Sequence, residues 1–357
     1  MTTKPRPVLI TMGDAAGIGP EIIAKAFYAA PQELAGCVVV GDIATMRRAT
    51  ALAATHFGTP ALPVAWLGAL DEWASIPANC IGVLQKCALP LPPPFGMVSG
   101  LSGQAAADCI VWAARTVLSG EAAAMVTAPI HKEALFAAGG WAARFPGHTE
   151  MLQAESAKFL GKPVSQVPVR MMLANQELKT VLVSIHMSLR NAIEAVTFDN
   201  VLETLRIAQC AVAAGLNRPP RIAVAGLNPH AGEGGLFGSE EQLIIAPAIA
   251  AALKEGIDVQ GPFAPDTVFM RARHTPEKPG EFDVVVAMYH DQGLIPVKYL
   301  GLEQGVNLTL GLPLVRTSPD HGTAFDIAGT GQADASSLRA AIRMARGWPR
   351  EARAIRP

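Results

Sequence analysis

Three histidines stand where apolar runs end. His186 closes the run 179–185, His230 lies in Leu-Asn-Pro-His-Ala-Gly-Glu-Gly-Gly after the run 221–225, and His290 lies in Ala-Met-Tyr-His-Asp-Gln-Gly after the run 283–287. Singly, each reads as a structural histidine. Together, at the C-terminal ends of strands, they fall where open α/β sheets collect ligands. Three imidazoles make a donor set for Zn²⁺ or a similar divalent ion with coordination positions left open. No HxH or HExxH spacing occurs, so the arithmetic alone is suggestive. His148 sits in Pro-Gly-His-Thr-Glu, a polar turn before a helix, where Thr149 could serve as a cap and His148 could be exposed.

The C-terminal third is densest in charge and amide chemistry. Lys298, Asn307 and Arg316 lie among apolar residues and glycines, ahead of Pro319-Asp-His-Gly-Thr-Ala-Phe-Asp326. Such residues suit a phosphate or carboxylate, with Arg offering a bidentate fork. Residues 13–19, Gly-Asp-Ala-Ala-Gly-Ile-Gly, follow the first apolar run. They allow a tight turn and close approach of a ligand to helix N–H groups; a plain strand-to-helix turn explains them equally well.

Strands and helices must hold these groups. Continuous Val/Ile/Leu/Ala runs predict strands at 8–11, 37–40, 124–127, 179–185, 221–225 and 283–287, the pattern of strands covered on both faces. Helices are expected at 20–30, 104–119, 200–214 and 240–255, with Pro20 suited to a first helical position. Residues 89–103, rich in proline and glycine, read as a loop. The alternation implies an α/β sheet with helices on both faces.

Composition narrows the class. The 357 residues are 50% hydrophobic and 17% charged with net charge −1, enough for a large core. That charge, with no basic run, argues against nucleic acid or an anionic membrane as partner. The mean hydropathy of +0.28 comes without an apolar stretch long enough to span a bilayer. The apolar run at the N-terminus is too short for a signal-peptide core, so a cytoplasmic location is expected. Cys37, Cys80, Cys87, Cys109 and Cys210 are scattered with no CxxC pair, and are expected to be reduced, mostly buried thiols.

The stretches 147–150 (GHTE), 227–235 (LNPHAGEGG), 265–267 (PDT), 289–293 (YHDQG), 305–313 (GVNLTLGLP) and 316–329 (RTSPDHGTAFDIAG) occur in that order. The chain thereby resembles the 4-hydroxythreonine-4-phosphate dehydrogenase family of pyridoxal phosphate biosynthesis, from about residue 7 to about 335. Its GDAAGIGPE is also similar to the GDGIGPE of isopropylmalate-type decarboxylating dehydrogenases. The resemblance implies two α/β/α domains with an interdomain cleft, like isocitrate and isopropylmalate dehydrogenases. Residues 1–128 plus 291–357 would form a discontinuous cofactor-binding domain, and 129–290 a metal and dimer-interface domain. It implies a homodimer with shared active sites and a divalent metal (Zn, Mg or Co) on His186, His230 and His290, with His290 from the neighbouring subunit. It also implies substrate contacts at His148, Thr149, Lys298, Asn307 and Arg316, with Asp266 and Asp291 beside the metal. His321, Gly322, Thr323, Ala324 and Asp326 correspond to the loop that binds the adenosine of NAD or NADP. Three departures bear on the substrate: Met12 and Ala15 in the first turn, His131 where many members have Asn, and Leu294-Ile295-Pro296. The last resembles a branch similar to dehydrogenases of phosphorylated threonate or erythronate.

The expected chemistry is oxidation of a secondary alcohol in a small phosphorylated hydroxy acid. A metal favours the alkoxide, hydride passes to the nicotinamide, and decarboxylation of the resulting β-keto acid follows. Asp266, Asp291 and Lys298 are candidate bases. 4-Phosphohydroxy-L-threonine is the first candidate substrate, 4-phospho-D-threonate or erythronate the second, and an unphosphorylated dihydrodiol another. Two rivals of other classes are a phosphate acyltransferase, which leaves the three histidines unexplained, and a two-domain solute-binding protein, which needs a secretion signal.

Overall fold

The computed structural model describes residues 5–348, and the domain ends expected at 1–4 and 349–357 lie outside them. Two units are set apart by their internal contacts, residues 5–168 with 312–347, and 169–311 with Trp348. In chain order the first unit contributes β1 (Val8–Thr11), β2 (Cys37–Gly41), β3 (Val64–Leu67), β4 (Ile81–Gln85) and β5 (Ala124–Thr127). The second contributes β6 (Arg170–Ala174), β7 (Lys179–Leu182), β8 (Ile222–Ala225), β9 (Val259–Phe263), β10 (Val284–Ala287) and β11 (Val306–Leu310), and the chain then re-enters the first as β12 (Arg316–Pro319).

These divisions fall later in the chain than the expected 128/129 and 290/291. The helix Lys132–Ala138 packs on the helix Gly100–Ser119. The contact is close enough that a Cβ on Gly103 would stand 2.0 Å from the Ala134 carbonyl oxygen. The helix His148–Leu160 packs on that same helix, so 129–168 goes with the first unit. The helix His290–Tyr299 lies on β7 and β10, which ties residues 290–311 to the second.

The first unit's strands run in the order β3-β4-β2-β1-β5-β12, all parallel. β1, β2 and β5 are buried at every position, as their unbroken apolar sequences predict. Each fully buried Val, Ile or Leu side chain contributes roughly 1.5–3 kcal/mol. The second unit's order is β11-β6-β7-β10-β8-β9: β11, β6 and β7 pair antiparallel, and β7, β10, β8 and β9 pair parallel. The β6–β7 turn is closed by the Asn175 side chain, which accepts the N–H groups of Glu177 and Leu178 at 2.9 and 2.8 Å. β9 carries Pro262, which cannot donate to a ladder, and lies at the end of the order.

Several expectations shift in detail. The helix Gly100–Ser119 begins inside the stretch read as a loop, because Gly100 and Gly103 let its first turn touch the backbone of the neighbouring helix. The expected helix 240–255 opens with a wider π-helical turn, Glu241–Ile245, before Ala246–Lys254. β7 ends at Leu182, short of the expected 185. Cys37, Cys80 and Cys109 are buried, as expected of most of the thiols, while Cys87 is half-buried and Cys210 exposed. Among the described residues no helix is long and apolar enough to cross a membrane.

Candidate functional site

In the first unit the parallel register aligns the ends of β1, β5 and β12, with Thr11 opposite Thr127 and Thr317 opposite Val126. Three loops leave that edge. The turn 13–19 begins with Gly13 at φ 74°, where a Cβ would stand 2.4 Å from the Pro129 carbonyl oxygen. Glycine is needed there on both counts. Asp14, buried, accepts the Ala16 N–H at 2.8 Å through Oδ1, and burial raises its carboxyl above the usual range. The Ile18 N–H, at the head of the helix Gly19–Ala29, donates to the Thr323 carbonyl at 3.0 Å. That turn therefore carries the loop holding His321, Gly322, Thr323, Ala324 and Asp326. The loop passes through a positive φ of 41° at Ala324. Its Phe325 ring stacks on His131, with centroids 4.4 Å apart. His131 thus sits directly against the loop that the resemblance assigns to adenosine.

Arg316 and His148 lie near enough in this unit for the charge of one to act on the other. Arg316, the first residue of β12, is 5% exposed and donates from Nε and Nη2 to Thr127 Oγ1 at 3.0 and 2.7 Å. Burial lowers its guanidinium to about 10, so it stays charged at neutral pH. His148 opens the helix His148–Leu160 after Gly147, and no side chain caps that helix, so Thr149 lies in the first turn and is not the cap expected. The His148 Nε2 is sealed from solvent. Burial, then the charge on Arg316, push His148 well below its ordinary value, while a bond to the Ala128 backbone opposes them. A charged guanidinium beside a neutral imidazole and a threonine hydroxyl is a chemistry for holding an anion.

In the second unit the parallel strands β7, β10, β8 and β9 end along one edge, and the loops after them carry His186, His290, His230 and Asp266. His186 adopts φ 44°. Its ring lies 5.6 Å from that of His290, centroid to centroid. Both line a cavity of about 370 Å³ with Ser184, Tyr289 and Asp291. His290 and Asp291 are bonded, Nδ1 to Oδ1, at 2.7 Å. That bond orients the ring with Nε2 on its far side, an arrangement that a metal-binding imidazole also uses. His230 packs instead beside Phe237, at 6.1 Å between centroids. Among the described residues no three His, Cys, Asp or Glu side chains are gathered closely enough to hold an ion. Asp266 is exposed in the turn after β9, Lys298 is exposed on the helix His290–Tyr299, and Asn307 is half-buried on β11 opposite Leu173. Lys298 and Asn307 thus belong to the second unit and Arg316 to the first.

Two groups that hold these loops escaped the sequence reading. Gln292 accepts the Met288 N–H at 2.7 Å and donates to the Gly226 carbonyl at 2.7 Å. Glu241 is 2% exposed and accepts the N–H groups of Leu227 and Asn228, both at 2.7 Å. Gln292 lies inside the His-Asp-Gln-Gly stretch and was open to notice. Glu241 carried no signal, since a carboxylate in a polar sequence reads as solvated.

These loops can be set beside known proteins. Residues 33–345 match the family model described as pyridoxal phosphate biosynthetic protein PdxA, and the chain belongs to that family. A relative from Beijerinckia indica, 4-hydroxythreonine-4-phosphate dehydrogenase, is 52% identical over 96% of this chain and 95% of its own. A D-threonate 4-phosphate dehydrogenase from Pectobacterium atrosepticum is 42% identical over 95% of this chain and 98% of its own. The crystal structure of a 4-hydroxythreonine-4-phosphate dehydrogenase from Klebsiella pneumoniae superposes with a TM-score of 0.82 at 41% identity, covering 96% of this chain and 99% of that one. The chain is accordingly an oxidoreductase of the α/β class.

Proposed function

We propose that this protein is a metal-dependent, NAD- or NADP-linked dehydrogenase of a phosphorylated four-carbon 3-hydroxy acid. 4-Phosphohydroxy-L-threonine is the first substrate, and 4-phospho-D-threonate is the second reading, which the relatives of that name support. The observation that carries the reading is the imidazole pair His186 and His290, oriented by Asp291 over a cavity at the strand ends.

The chemistry of the set His186, His230 and His290 fits a divalent ion when a second copy of the chain supplies one of the three, His290 by the resemblance. The chemistry such an ion supplies is Lewis acidity toward the substrate hydroxyl. Residues 321–326 would hold the adenosine of a nicotinamide cofactor, which when bound would serve as hydride acceptor. Arg316, with His148 and Thr127, binds an anionic end of the substrate in the first unit. Lys298 and Asn307 are the second unit's own donors for an anion. His148 stays neutral, so it offers one donor or acceptor without adding charge. Asp291, Asp266 or Lys298 receives the hydroxyl proton. The C3 alcohol loses a hydride and a proton, giving a ketone β to the carboxylate. Loss of CO₂ then takes up one proton and leaves 3-amino-2-oxopropyl phosphate. The five thiols, none in a disulfide, support a reducing, cytoplasmic setting.

Single His→Ala subunits mixed after exchange test the shared site. If His186 and His290 come from one copy and His230 from the other, His186→Ala with His230→Ala regains activity. If His290 is the residue from the second copy, as the family arrangement implies, His186→Ala with His290→Ala regains it. One mixture is expected to recover. If neither does while exchange is verified by mass, the shared site is refuted.

A further inference from the structure

We infer that Glu241 is a positioning residue that sets the metal affinity of His230, an inference that rests on the metal reading above. After β8 the chain runs through His230, Ala231, Gly232, Glu233 and Gly234 at φ 52, 53, 78, 45 and 68°. Three of those residues carry a Cβ and are disfavoured in the left-handed region. Such a run persists only where its surroundings over-determine it.

Glu241 is the group beneath it. One of its oxygens, Oε1, accepts both the Leu227 and Asn228 N–H groups, and the other accepts Asn228 Nδ2 at 3.0 Å. The backbone closes onto the same carboxylate. A Cβ on Gly226 would stand 3.1 Å from Oε1, and one on Gly232 2.7 Å from Oε2. Glu241 begins the π-helical turn Glu241–Ile245, a widened turn that recurs at functional sites.

The loop so held is linked to the other two. Gln292 joins the Gly226 carbonyl to the turn before His290, and Ser184 Oγ donates to the Met288 carbonyl at 2.9 Å on the way to His186. One chain of hydrogen bonds therefore registers the three histidine-bearing loops, and Glu241 anchors its far end.

Zn²⁺ titration of the metal-stripped, full-length protein tests this, with thermal unfolding followed in parallel. The comparator is Asp283→Asn, a buried carboxylate paired with Arg218 and Arg221 at the opposite end of β10. Glu241→Ala is expected to bind Zn²⁺ about 10–100-fold more weakly, the usual cost of losing a group behind a metal ligand. Glu241→Gln, which keeps a carbonyl acceptor, recovers most of the affinity. Asp283→Asn loses thermal stability but binds like wild type. Glu241→Ala that binds Zn²⁺ as tightly as Asp283→Asn overturns the inference and leaves the metal reading standing. Wild type that binds no Zn²⁺, or His230→Ala that binds as tightly as wild type, overturns both.

Discussion

At the scale of single residues, the first unit's chemistry turns on a charge contrast. Arg316 is buried yet cationic at neutral pH, and beside it His148 is driven toward its neutral form by burial and by that cation. The sign of the pH dependence follows. A histidine whose folded value lies below its unfolded value of about 6.5 binds protons more readily in the unfolded chain, so folding stability falls as pH drops below about 6.5. His148→Asn is expected to flatten the acid side of a melting-temperature profile between pH 6.5 and 5. An unchanged slope would contradict the assignment. Residue types were legible from sequence: His186, His290 and Arg316 were singled out as polar groups bounding apolar runs. Their company was not. The Thr127 partner of Arg316 lies 189 positions away, and the stacking of His131 on Phe325 joins two loops that no spacing rule connects.

At the scale of elements, most buried parallel strands could be read directly, because β1, β2, β5, β8 and β10 are unbroken apolar runs. β3, β4, β6, β9, β11 and β12 were not read. β9 contains Gly261-Pro262 and exposes Gln260, while β12 is Arg-Thr-Ser-Pro, buried despite its polarity. Only the neighbouring strand and the helix Ser336–Gly347 make such a sequence a strand. The true start of the helix Gly100–Ser119 is hidden in the sequence for a related reason. Glycine near a helix start signals a loop unless another backbone passes within contact distance, as Ala134 does. Gly103→Ala is expected to destabilise the protein by roughly 1–3 kcal/mol through overpacking, read as a lower denaturation midpoint with unchanged slope. A neutral or stabilising outcome would mean that the helix Lys132–Ala138 yields freely and does not fix the start of its neighbour.

At the scale of the whole molecule, the chain's family membership and the separation of its chemistry into two units point the same way. One unit carries a buried cation and the loop 321–326, and the other carries the paired imidazoles and a cavity. The general class was legible because long motifs survive in order; the unit boundaries were not, since they depend on which helix packs on which. The most direct test of the account is reduction of NAD⁺ or NADP⁺ by the Zn²⁺-, Mg²⁺- or Co²⁺-supplied protein. 4-Phosphohydroxy-L-threonine, 4-phospho-D-threonate and their unphosphorylated forms would be compared in wild type and Arg316→Ala. The account predicts turnover of a phosphorylated acid and CO₂ release. It also predicts a fall of about ten- to a hundredfold in binding for Arg316→Ala, the loss of one charge-assisted bond of roughly 1.5–3 kcal/mol. Turnover that prefers the unphosphorylated compounds, or no nicotinamide reduction with any of them, would contradict it.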